Sequence, residues 1–124
     1  MEKFVLVMFG GCLGAASRYG VNLLATRFWG SGFPWGTLIV NMVGCFLIGL
    51  VFGLAERMAW LTPSVRLFFV TGFLGALTTF SSFAVETVNT ANAGFRSLAG
   101  INFVANNAGG LVLVLVGLWL AKAL

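Results

Sequence analysis

The sequence predicts an all-α integral membrane protein, one domain over residues 1–124 with four transmembrane helices, the third broken near mid-membrane. Three observations carry that prediction. Hydrophobic residues make up 60% of the chain and charged ones only 8%, with a mean hydropathy of +1.03. The apolar residues fall into four stretches, 4–26, 35–54, 64–90 and 98–120, each near the ~20 helical residues that cross a hydrocarbon core of about 30 Å. The connectors 27–34, 55–63 and 91–97 are too short for a soluble domain and join antiparallel neighbours, so both termini lie on one side.

The first stretch is too long for a secretion signal, carries Arg18 near its middle and lacks a small-residue cleavage site, which makes it a permanent helix. Gly10 and Gly14 have the spacing that lets membrane helices approach closely, as do Gly49 and Gly53 in the second stretch. Arg18 is deep for a charge and has two readings: it attracts an anion into a vestibule, or it pairs with a helix end and snorkels. In the second stretch Asn41 sits between Val40 and Met42, with Thr37 one turn earlier. Its amide has two N–H donors, for an interhelical bond or for a passing ion. Cys12 and Cys45 both fall in apolar stretches and read as small buried hydrophobes rather than a disulfide.

The third stretch is the longest and holds GFLGALTTFSSF at residues 72–83. Gly75 weakens a helix, and Thr78, Thr79, Ser81 and Ser82 offer the backbone competing hydrogen bonds. Either the helix breaks there and frees carbonyls for a monovalent cation, shared at the two-fold axis of an antiparallel pair, or it stays whole with its hydroxyls bonded back. Phe80 and Phe83, three apart, share a helix face. They are core aromatics, or their electropositive ring edges flank an anion path. Glu86 lies near the end of that stretch, as a proton-coupling carboxylate or a group in interfacial water. In the fourth stretch Asn102 and Asn106 line one face, as donors to an anion or as helix glue, with Asn107 beside them.

Several function classes lack their parts. Histidine is absent, and the chain has no cysteine cluster, carboxylate pair or phosphate-cradling loop, so enzymatic chemistry is not expected. The net charge of +4 is spread over loops and helix ends, a poor fit to nucleic acid. Within the membrane, donors outnumber obligate acceptors, which suits an anion. Lys3, Arg57, Arg66 and Lys122 fall on one side, Arg27 and Arg96 on the other. So shallow a bias either mildly favours termini inside or permits insertion both ways. Because four helices fill their own centre with side chains, a path is expected against a second copy.

The run at residues 72–83, followed by Glu86 and Thr87, resembles the signature of the Fluc family of fluoride channels, also called CrcB-type proteins. GCLGAASRY at 11–19 and PWGTLIVNMVG at 34–44 agree with it, so the resemblance spans essentially the whole chain. It implies a dual-topology antiparallel homodimer in the inner (cytoplasmic) membrane, with two pores that export fluoride passively and lower its toxicity. It also implies Phe80 and Phe83 as pore phenylalanines, Asn41 as pore amide donor, Arg18 as the arginine of the first helix, and Gly75 and Thr78 as carbonyl ligands of a structural sodium ion. Thr79, Ser81 and Ser82 match the polar run beside the phenylalanines. The match departs at Ser82, where the family often has Thr, and in the fourth helix, where Asn106 and then Gly110 stand in place of a hydroxyl track. Two other classes compete: a small proton-coupled antiporter dependent on Glu86, and a membrane assembly factor whose polar residues serve packing alone.

Overall fold

The four apolar stretches fold as four long helices. The computed structural model describes all of residues 1–124, with α1 at Glu2–Trp29, α2 at Trp35–Leu54, α3 at Pro63–Asn92 and α4 at Arg96–Ala123. Each is long and apolar enough to cross a membrane. The second coincides with the predicted stretch, and the others run one to three residues further at each end. Local signals account for that. Helix α1 continues past Arg27 until Gly30, whose φ of 73° ends it while its N–H donates to the Thr26 carbonyl. Helix α3 starts one residue early because Thr62 caps it, its hydroxyl accepting from the Val65 N–H at 3.3 Å, with Pro63 at the first helical position.

Glycines set the packing. A side chain at Gly10 or Gly14 would run into the backbone of Phe68 or Phe73, so α1 lies directly against the first half of α3. Gly49 faces the Val114 backbone and Gly117 faces the Phe46 carbonyl, which brings α2 and α4 equally close. Arg57 donates to the carbonyls of Ala121 (2.9 Å) and Lys122 (3.2 Å), tying the end of α2 to the end of α4. The start of α1, the start of α3 and the end of α4 therefore share one end of the bundle. Val40, Leu74 and Leu77 form a small core ringed by residues such as Leu47, Phe69 and Phe73. Only 20 of 124 residues are buried, and large apolar side chains cover the outside, as suits a chain solvated by hydrocarbon. Cys12 is among the exposed residues, contrary to its expected burial. It sits on the side of α1 away from the Gly10 and Gly14 packing face.

Two helices are irregular. Residues Leu67–Leu74 of α3 and Ala105–Gly109 of α4 are π-helical, a local widening that recurs at functional positions. After the short turn Gly75–Leu77 the α3 backbone becomes extended, with φ −80° and ψ 154° at Thr78 and φ −152° and ψ 117° at Thr79, before helix resumes at Phe80–Asn92. Nothing in the residue pattern announced the π-helical stretches.

Candidate ion-pathway site at the Thr78–Thr79 segment

At Thr79 a side chain replaces the helical ladder. The Thr79 N–H, which a continuous helix would aim at the Gly75 carbonyl, donates instead to Asn41 Oδ1 at 2.8 Å. Asn41 Nδ2 in turn donates to the Thr79 carbonyl at 3.2 Å. The amide of α2 thus mimics a strand partner for one residue of α3 and satisfies both of its backbone groups. Thr78 remains tied to the preceding turn, its N–H and its hydroxyl both donating to the Leu74 carbonyl at 3.0 Å. Thr79 caps the second half of α3, its hydroxyl accepting from the Ser82 N–H (3.2 Å) and bonding Ser82 Oγ (3.1 Å).

A cleft of about 340 Å³ opens at this point, and its walls include Asn41, Gly75, Thr78, Thr79, Phe80 and Phe83. Asn106, Asn107 and Cys45 complete its polar side. The two phenyl rings stand 5.5 Å apart at 57°, Phe80 being 75% exposed and Phe83 only 4%. Phe83 is held by Phe103 at 6.1 Å on its other flank. One ring is therefore fixed in the chain, and its neighbour stands out from it.

Behind the cleft the amides are connected. Asn41 Nδ2 also donates to Asn106 Oδ1 (2.9 Å), and Asn106 Nδ2 donates to both the carbonyl and Oδ1 of Asn102 (2.9 Å each). Asn102 Nδ2 donates to Thr87 Oγ1 (2.9 Å), and Thr87 Oγ1 to the Phe83 carbonyl (2.7 Å). Both Asn41 donors are thereby engaged within the chain.

Comparison with known proteins decides the family. The family described as CrcB-like protein, Camphor Resistance (CrcB) matches residues 5–118. The chain belongs to it. The protein named fluoride-specific ion channel FluC in Rhizobium johnstonii is 41% identical over 124 residues, 100% of this chain and 99% of that one. Its namesake in Legionella pneumophila is 44% identical over 122 residues, covering 98% and 91% of the two chains, and that in Nitrosococcus oceani is 38% identical over 121 residues, covering 98% and 97%. The three quoted motifs all lie inside this CrcB-like match.

In this CrcB-like chain the structure brings Asn41, Gly75, Thr78, Thr79, Phe80, Phe83 and Asn106 to one cleft, and leaves others outside it. Arg18 is half-buried on α1, with neither an ion pair nor a hydrogen bond, and lines no cleft named here. Ser81 is exposed, and Ser82 is occupied by the Thr79 cap. Glu86 lies in a second cleft of about 360 Å³ near the α1–α2 loop, beside Asn22, Asn89 and Thr90. Its Oε1 accepts from the Thr37 hydroxyl at 2.9 Å, while Oε2 is buried without a partner. Asn107 and Cys45 had not been singled out for the cleft, and Thr87 not for any bond. The one hint toward Asn107 was its place beside Asn106 and just before Gly109 and Gly110, four weak helix formers interrupted only by Ala108.

Proposed function

We propose that the chain is a fluoride-selective channel that exports fluoride passively across the inner membrane and so lowers its toxicity in the cell. The observation that carries this reading is the cleft itself, which gathers two phenylalanines, hydroxyls and amides around a helix interruption without a fixed charge. Full-length identity of about 40% to proteins named fluoride-specific ion channels supports it. Fluoride is small and strongly hydrated, so its water is replaced only by several donors and positive ring edges at close range. The edges of Phe80 and Phe83 and the hydroxyls of Ser81 and Ser82 are of that kind, and the N–H groups of Asn41 and Asn106 and the Thr79 hydroxyl join them where an ion replaces one of their bonds within the chain. A neutral lining lets the ion leave again.

The working unit in this reading is an antiparallel, dual-topology homodimer with two pores. A ring as exposed as Phe80 covers one wall of an open cleft, and a second copy supplies the facing wall. The interruption of α3 then lies near mid-bilayer, and a sodium ion sits at the dimer centre on the Gly75 and Thr78 carbonyls. The residues fit such an ion: the Thr79 N–H has turned from Gly75 to Asn41, and the exposed Gly75 α-carbon meets only the Val70 carbonyl of its own chain, at 3.6 Å from an added Cβ. A bound cation would hold the two chains together. Arg18, at the same level of the bundle, adds a positive potential that draws anions toward the entrance.

Fluoride efflux from liposomes holding the purified protein, followed with an electrode and repeated for chloride under a valinomycin voltage clamp, tests the reading. Fast fluoride flux without chloride flux or a pH gradient is the expected result. Flux that needs a proton gradient would instead make Glu86, with its unpartnered oxygen, the coupling group of an antiporter, and no flux would leave a packing role alone.

A further inference from the structure

The hydrogen bonds behind the cleft form a directed chain. Donation runs from the Thr79 N–H to Asn41, from Asn41 to Asn106, from Asn106 to Asn102, from Asn102 to Thr87 and from Thr87 to the Phe83 carbonyl. It leaves α3 at the residue before Phe80, crosses α2 and α4, and returns to α3 at Phe83. Its ends are a backbone N–H, which only donates, and a backbone carbonyl, which only accepts. Every amide between them has one permitted orientation, since a flip at any link sets donor against donor or acceptor against acceptor. Asn106 is fixed a second time by its bond to the Asn102 carbonyl. Asn102 is 1% exposed and lines neither cleft, so no ion reaches it.

We propose that Asn102, with Thr87, is a positioning residue for the pathway: through Asn106 and Asn41 it holds the first turn after the α3 interruption, and with it both phenylalanines, in conducting register. This rests on the channel reading above. A buried network with every member satisfied is stiff, and removing one member leaves its neighbours with unpaired groups. Without the Asn102 side chain the Asn106 amide keeps only its bond to the residue 102 carbonyl, Thr87 loses its donor, and the Asn41 orientation is held from behind by one bond fewer. The lining and charge of the cleft stay the same, so any change in ion flux reports position.

The test compares Asn102→Leu, Thr87→Val, Thr87→Ser and the double variant Asn102→Leu/Thr87→Val with the unaltered protein in liposomes. Fluoride and chloride efflux are measured beside hydrogen exchange of the Thr79 amide. Asn102→Leu and Thr87→Val, assembled as the unaltered protein, should each slow fluoride efflux about tenfold and speed Thr79 exchange, and the double variant should be no worse than either, because one chain is broken once. Thr87→Ser keeps the hydroxyl and should behave as the unaltered protein. Unchanged efflux and exchange in either assembled variant, or multiplied losses in the double one, overturn the proposal. If Asn102→Leu fails to assemble, the contrast of Thr87→Val with Thr87→Ser decides alone. Unaltered protein that carries no fluoride overturns the channel reading instead, and Thr79 exchange then decides whether the chain of bonds holds this segment.

Discussion

Gly75→Ala separates what a single chain needs from what an assembly needs. Within one chain the added methyl meets only the Val70 carbonyl at 3.6 Å, an ordinary contact, and lies on an exposed side of α3. Alanine in place of a helical glycine stabilises by roughly 0.5–1 kcal/mol, so the isolated chain should fold as well or slightly better. In the proposed dimer, close approach of a second copy around a shared cation would reverse that sign. An extra methyl in a filled contact costs roughly 1–3 kcal/mol, and two-fold symmetry applies it twice, giving about 2–6 kcal/mol against the dimer. Since about 1.4 kcal/mol is tenfold, dimerisation should weaken at least about thirtyfold. Single-molecule subunit counting in lipid, over a dilution series at fixed sodium, reads this directly. Gly44→Ala is the contrasting control, because its methyl would strike the Thr78 side chain within the same chain and damage folding itself. A Gly75→Ala protein that pairs like the parent at every dilution would refute both the dimer contact and the central cation site.

Phe80→Ile removes the ring quadrupole while keeping an apolar side chain at a 75% exposed position, so folding should hold while fluoride efflux falls about tenfold or more. Circular dichroism and the efflux assay check the two halves. Gly117→Leu drives a side chain into the Phe46 carbonyl and the Leu50 N–H, and since neither backbone can yield, the α2–α4 contact should open at a cost of about 3 kcal/mol or more, read as a lost thermal transition in detergent.

Much of this architecture was legible because the membrane permits few solutions. Hydropathy alone located all four helices, and α2 matched residue for residue, since Pro34 precedes its first turn and no polar residue blurs its limits. The interruption after Leu77 was readable as one of two outcomes, from Gly75 and four hydroxyls within eight residues. What chose between them lay in another helix: Asn41 takes over the Thr79 backbone groups, and a contact 38 residues away leaves no trace in local propensity. The same limit hid the two π-helical stretches. It also hid the Thr87–Asn102 bond, which needs α3 and α4 already in place. Arg18, chosen because charge is rare in an apolar helix, proved to be a residue without partners in the chain.

The interruption also sets opposite electrical signs side by side in a neutral segment. The half ending at Leu77 presents carbonyls, the half beginning at Phe80 presents N–H groups, and only Thr78 and Thr79 separate them. Each end carries roughly half an elementary charge, negative on the first and positive on the second. A cation at the carbonyls and an anion near the N–H groups therefore attract one another instead of competing for one field. At a separation on the order of 10 Å and an effective dielectric constant near 20, two unit charges gain about 1.7 kcal/mol, more than tenfold in occupancy. Sodium replaced on both sides of the membrane by N-methylglucamine, a cation too large for a pair of helix ends, should then lower fluoride efflux by about that factor, with recovery when sodium returns. Efflux indifferent to that exchange, in protein shown by atomic emission to hold no sodium, would mean that the two ends act independently and that a cation has no part in the anion's path.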